Sequence, residues 1–397
     1  MRVEIIAAIV VILILATLGA SYIVNSGNRL TSTVTSTSIT TTTYTLIEPS
    51  TVTSLQTVPV TMSTTNAETF TVTSTLTLVT PVPITSLETA NVSVGGSPDT
   101  IAVNPDTGRI YISGESNILT VIDATSYNII ANITLPASSD GAIAIDNETN
   151  TIFVLLQNGI AEINGSTNQI IRELPLAFGY RSMAYDSSTD TIYGSSLGSY
   201  LVGADAQTGA ITANLSIGYG ADILVNSQTN LIYAVGCNES GLACNSMVSI
   251  VNGTNAKLVN QTDLGSPYYA TAALDGSSGL LYVSGDEELV ELNSIGNVIY
   301  NSYPETCGPF ISMTVSPTLG QIIMAPQNYD YILVYNEQFG NLINMYSLPS
   351  PAQYVAFNTS TNETYAIISD TLVAFHSIGS GYLNSNLIGV DGFCPLP

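Results

Sequence analysis

The stretch "VNPDTGRIYISG" (residues 103–114) sets a polar turn before a short apolar run. The same layout returns as "IDNETNTIFVLL" (145–156), "YDSSTDTIYGSS" (185–196) and "VNSQTNLIYAVG" (225–236). Aligning on the residue that follows each turn gives Tyr111, Phe153, Tyr193, Tyr233, Tyr282, Ile323 and Tyr365, spaced by 42, 40, 40, 49, 41 and 42 residues. Three positions before these anchors stand Gly108, Asn150, Asp190, Asn230, Gly279, Gly320 and Asn362. Gly, Asn and Asp accept a left-handed backbone at the least steric cost. The turns open on Asn104, Asp146, Asp186, Asn226, Asp275, Ser316 and Asn358, residue types whose side chains bond backbone amides further along a turn. What recurs is a hairpin geometry, and the identities around it drift.

Each unit carries four short apolar runs, as in "DTIAVN", "RIYISG", "LTVIDA" and "IIANITL", with no helical period between them. Four strands per unit of about 40 residues is the signature of a propeller blade. A β-sandwich does not repeat seven times, and a β-helix uses shorter coils. The expectation is an all-β chain: a seven-bladed β-propeller of four-stranded blades over residues 91–397, closed so that no long edge is left open.

The first unit, "VSVGGSPDTIAVNPDTGRIYISG…LTVIDATSYNIIANITLP", resembles a repeat of the YVTN β-propeller family, the surface-layer-like and secreted propellers of prokaryotes, prominent in archaea. The likeness runs over residues 91–390 and is strongest in the first unit. Tyr282-Val283-Ser284-Gly285 comes nearest to the naming tetrapeptide, and Ile323 replaces its aromatic residue. The resemblance implies an extracytoplasmic seven-bladed propeller and brings no catalytic motif.

Ahead of the repeats lie two other materials. Residues 1–29 contain the apolar run "IIAAIVVILILATLGASYIV" (5–24), long enough to cross a bilayer as a helix. A cleaved signal peptide has a shorter apolar core, so a retained transmembrane anchor is favoured, with cleavage after the small residues Gly19, Ala20 and Ser21 as the alternative. Residues 30–90 form a Ser/Thr-rich stalk: 28 of the 50 residues from 31 to 80 are Ser or Thr, with no Lys, Arg or Gly. Such a composition is mucin-like and cannot build a core, so it is expected to be extended. Within it, "TVTSTLTLVT" (71–80) reads as stalk filler, or as a strand that adds to a sheet edge.

Charge narrows the partners. Asp and Glu number 30 against 6 Lys and Arg, for a net charge of −24, which repels nucleic acids. Charged residues are only 9% of the chain, so solubility rests on hydroxyls, amides and sugars. This balance suits an exterior compartment, and an acidic one in particular, because most carboxylates are neutral near about pH 2–3.

The residues with chemical potential are few. Cys237, Cys244, Cys307 and Cys394 permit three disulfide pairings. The expected pairing is 237–244, a local loop, with 307–394 locking the C-terminus to the ring. Zinc is disfavoured because no Cys-x-x-Cys or His cluster is present. In propeller order all four cysteines share one face with Asp286, Glu287 and Glu288, and with Tyr329 and Tyr331 of "QNYDY". The acidic trio reads as a solvated loop, with Ca²⁺ ligation as the sharper alternative. The tyrosines read as packing, with sugar stacking as their alternative. The single histidine, His376, and the sole lysine, Lys257, read as structural and solvated, since no "GxSxG" elbow accompanies them. Ten Asn-x-Ser/Thr sequons stand at Asn91, Asn132, Asn147, Asn164, Asn214, Asn238, Asn252, Asn260, Asn358 and Asn362. Five of them (147, 164, 252, 358 and 362) fall on the turn face opposite the cysteines.

No catalytic residue and no cofactor follow from these patterns. The expected role is a membrane-anchored, cell-surface binding, adhesion or cell-envelope structural protein, meeting a protein or glycan partner on the cysteine-bearing face. A lactonase-like, metal-dependent hydrolase is one rival, and it requires Asp or Glu from several blades to meet at the ring axis. The other is self-assembly into a filament, with residues 71–80 or 91–94 donated to a neighbour's sheet.

Overall fold

The computed structural model describes residues 90–376, apart from 177–181, 196–198, 238–244, 266–268, 286–287, 303–308 and 338–341, together with Ser21–Asn25, Arg29–Thr33, Gln56–Ser63 and Thr69–Leu76. Seven four-stranded antiparallel sheets make up the repeat region. In the first blade the strands are Pro98–Asn104, Arg109–Gly114, Ile118–Asp123 and Ile129–Thr134, paired in that order. The next five blades repeat the meander over residues 139–174, 183–216, 219–263, 269–302 and 310–347.

The seventh blade departs from the reading of seven self-contained units. It takes three strands from the end of the repeat region, Tyr354–Asn358, Glu363–Ile368 and Thr371–His376, and its outer strand from the beginning, Ala90–Ser93. Val373 pairs with Asn91 and Leu372 with Val92. The first strand of each blade touches the first strand of the next, and Tyr354–Asn358 touches Pro98–Asn104, so the ring is complete. The segment 91–94, expected to be available for donation to another molecule, is largely spent closing its own ring.

Second and third strands are covered on both faces by neighbouring blades, which is why they read as nearly continuous apolar runs such as "IYI" and "FVLL". The fourth strands carry most of the exposure, as in Ile129–Thr134. The core is accordingly divided. Seven apolar clusters lie one at each seam between successive blades, including the seam between the seventh and the first, where Ile110, Ile112 and Ile122 pack with Tyr365, Ile367 and Leu372.

The hairpin signal holds at every copy. Gly108, Asn150, Asp190, Asn230, Gly279, Gly320 and Asn362 have φ of 62°, 54°, 51°, 53°, 75°, 62° and 56°. The turn-opening residues are all buried. Asn104 Oδ1 accepts from the amides of Asp106 and Thr107, and Asn226 Oδ1 from those of Gln228 and Thr229. Asp146, Asp186, Asp275 and Asn358 each accept from the amide two residues on. Ser316 is the exception: its carbonyl takes the amide of Leu319, and its hydroxyl is buried without a partner.

Two compact units are present, and the N-terminal one contains two hairpins. Ser21–Asn25 pairs with Arg29–Thr33, so the last residues of the expected membrane span are extended, while 5–20 lie outside the described residues. Among the described residues no helix is long and apolar enough to cross a membrane. Gln56–Ser63 pairs with Thr69–Leu76. Part of the stretch expected to be singly extended therefore folds back on itself, and residues 71–76 are a strand rather than filler. The alternating Thr and Val of both arms explain it, because β-branched residues favour the pleated backbone.

Candidate functional site

On the face bearing the first-to-second-strand turns, each seam is clasped by polar contacts built from the repeat itself. Tyr193 donates to the carbonyl of Gly253, and Tyr233 to that of Ser294, each acceptor lying in the third-to-fourth-strand turn of the next blade. Tyr282 donates to Glu337 Oε1 at 2.8 Å in the same way. From the seventh blade the sense is reversed, because Tyr127 of the first blade donates to Glu363. Where the anchor is Phe153, Arg172 substitutes: it pairs with Glu162 and donates to the carbonyls of Ala206 and Gln207. Arg109 reaches Gly165 O and Asn168 Oδ1 in the second blade.

The fifth-to-sixth seam gathers three carboxyls, Asp275, Glu291 and Glu337. Burial pushes Glu337 up to about 7; the Tyr282 hydrogen bond opposes this, and the nearby Asp275 and Glu291 reinforce it. Burial would raise Asp275 too, but hydrogen bonds from Ser278 and Ser277 outweigh it and hold the carboxyl below its ordinary value. Two carboxyls pushed apart in this manner can mark an acid–base pair. Here Asp275 caps its own turn and Glu337 receives the Tyr282 hydroxyl, so the arrangement acts as a clasp with a titratable member. Glu337 and Asp275 belong to different blades, so no local pattern in the sequence joins them.

On the opposite face, Cys237 ends the second strand of the fourth blade and is disulfide-bonded. Cys244, Cys307 and Cys394 lie outside the described residues, as do Asp286 and Glu287. Tyr329 and Tyr331 pack against each other at 5.4 Å and join the apolar cluster of the fifth-to-sixth seam. A groove of about 190 Å³ opens on the first blade beside the link from the closing strand, lined by Gly95, Gly96, Ser113, Ser116, Thr120 and Asn132 among others. It is smaller than a typical small-molecule pocket. The close approach that forms it depends on Gly114, where a Cβ would meet the Ser97 carbonyl oxygen at 2.1 Å.

The remaining candidates separate by burial. His376 is largely exposed at the end of its strand, 3.7 Å from Glu363. Lys257 is exposed at the start of an outer strand. Asn358 is buried, and its Nδ2 donates to the Tyr365 hydroxyl; the folded ring does not present it for modification. Asn238 lies outside the described residues. Among the described residues no group of three His, Cys, Asp or Glu side chains is placed to hold a metal ion.

No protein-family model matches the sequence, and no curated protein does. Solved structures do match: a chain titled hydrazine synthase from Kuenenia stuttgartiensis superposes with a TM-score of 0.62 at 12% identity, covering 75% of this chain and 99% of that one. At that identity the likeness defines the class of fold, a propeller, and nothing finer. With 1756 solved chains matching, the ring is common property, and no activity travels with it.

Proposed function

We propose that this chain is a cell-surface propeller, a divergent relative of the YVTN type, held outside the membrane by residues 1–29, spaced by 30–90, and acting in binding, adhesion or envelope structure. The observation that carries this reading is the position of the closing strand. Ala90–Ser93 follows the Ser/Thr-rich stretch directly and completes the ring from within the chain, as suits a self-contained head on a tether. Use of Asp146, Asp186 and Asp275 as turn caps and of Glu162, Glu337 and Glu363 in seam contacts suits a binding or structural role. The cysteine-bearing face, opposite the first-to-second-strand turns, is the proposed contact surface, with disulfides 237–244 and 307–394 stiffening it. Protease added to intact cells tests the location: it is expected to cut within 30–90 and release the ring as a folded fragment. Resistance until the cells are lysed overturns the reading.

A further inference from the structure

Four of the ten sequons lie in outer strands, and three of them share one register. Asn132 lies in the outer strand of the first blade, Asn214 in that of the third, Asn260 in that of the fourth, and Asn91 in the strand that closes the seventh. In each, the sequon Ser or Thr follows two residues on, on the same face of the strand. Pairing confirms the register. Thr134, Ser216 and Ser93 stand opposite Ile118, Tyr200 and Thr371, each the first residue of its third strand.

Three of the four present a free amide. Asn91, Asn132 and Asn214 are exposed. Among the described residues Asn132 uses only its Oδ1, as acceptor from Thr120, and the side chains of Asn91 and Asn214 make no hydrogen bond. Asn260 differs, because its Nδ2 donates to Ile295 O at 2.8 Å across the seam.

The same three strands have a physical need. An outer strand offers unpaired backbone groups, and natural proteins protect such edges with charge, proline or cover. Ala90–Ser93, Ile129–Thr134 and Ile211–Ser216 contain neither a charged residue nor proline. The outer strands of the second and fourth blades, whose amides are absent or engaged, contain Arg172 and Glu173, and Lys257 and Asp263. Exposed apolar side chains lie near two of the free amides: Ile118 and Ile130 on the face of Asn132, and Tyr200 on that of Asn214, at 39%, 42% and 44% exposure. The groove on the first blade also has Asn132 in its wall, a recess beside the attachment point.

We infer that Asn91, Asn132 and Asn214 carry N-linked oligosaccharides that shield the uncharged outer edges of the ring. This rests on the ring lying outside the cell. The outer strands of the fifth and sixth blades, Val298–Ser302 and Leu342–Ser347, have neither charge nor sequon, which leaves two bare sectors of the rim.

The test is glycopeptide mass spectrometry on the native full-length protein, paired with protease treatment of intact cells. Sugar masses on the peptides containing all three asparagines support the inference. Unmodified rim peptides, or sugars confined to Asn147, Asn164, Asn252 and Asn362, overturn it. If the ring is nonetheless cut from intact cells, the surface location survives; protection from protease with no sugar overturns both. The triple variant S93A/T134A/S216A is expected to lose three glycan masses and to shift toward oligomers in size-exclusion chromatography. A variant that loses the sugars and stays monomeric overturns the shielding role.

Discussion

Gly108 stands at φ 62°, with no atom within 4 Å of where a Cβ would project. A substitution there reports backbone cost alone. Gly108→Val is expected to destabilise the ring by about 1–2 kcal/mol, and Gly108→Asn by less than half as much. Urea denaturation measures both, and equal losses would mean that the left-handed position is not what the repeat preserves. This position was legible because only Gly, Asn and Asp occupy it. A second one was not. The third-to-fourth-strand turns also have a left-handed residue, and in successive blades it is Tyr127, Asn168, Gly209, Ala256 and Gly296. Tyr and Ala give no such signal. The capping residue that precedes them, Asp123, Asn164, Asp205, Asn252 or Asn293, was visible in the sequence. The seam partners of the anchor tyrosines were equally hidden, because each acceptor sits 55 to 61 residues further along the chain.

Among the elements, the short strand Ala90–Ser93 bears on more than its length suggests. Its Ala90 and Val92, with Val94 beyond it, pack into the cluster between the seventh and first blades. Deleting residues 1–93 is expected to cost about 3 kcal/mol against a chain that begins at Ala90, the scale of burying one or two aliphatic side chains. It also bares the edge of Thr371–His376, so self-association should rise. Thermal melts and light scattering of the two truncations compare them, and identical behaviour would refute closure by this strand. The four-strand blade was readable from spacing and period. The exchange of the outer strand was not, since "ANVS" reads like any outer strand and its partner lies at the far end of the repeats. The N-terminal hairpin Gln56–Leu76 escaped for a related reason: a Ser/Thr-dominated composition suits an extended stalk and a paired ribbon alike.

For the whole molecule, charge decides the response to pH. Glu337 has its folded pKa raised to about 7, above its value in the unfolded chain. Its favourable contribution is therefore complete below the unfolded pKa of about 4.5 and is lost as pH rises through about 7. Asp275 acts in the opposite sense, being lowered; its contribution is present above the usual aspartate value and is lost as pH falls below it. The net charge of −24 adds self-repulsion that grows as carboxyls ionise. The melting temperature is thus expected to be higher at about pH 5 than at pH 8, with Glu337→Gln, at a half-buried and partly screened site, removing about 1 kcal/mol of the difference. Calorimetry across that range checks it; a melting temperature that climbs steadily toward pH 8 contradicts the assignment. There is also a mechanical corollary of the shared seventh blade. Any tension arriving along the chain from residue 89 enters the head at the very ladder that completes the circle, between Ala90–Ser93 and Thr371–His376. Overload would spring the ring open at that joint before the head as a whole came under strain, making the seventh blade its mechanical fuse.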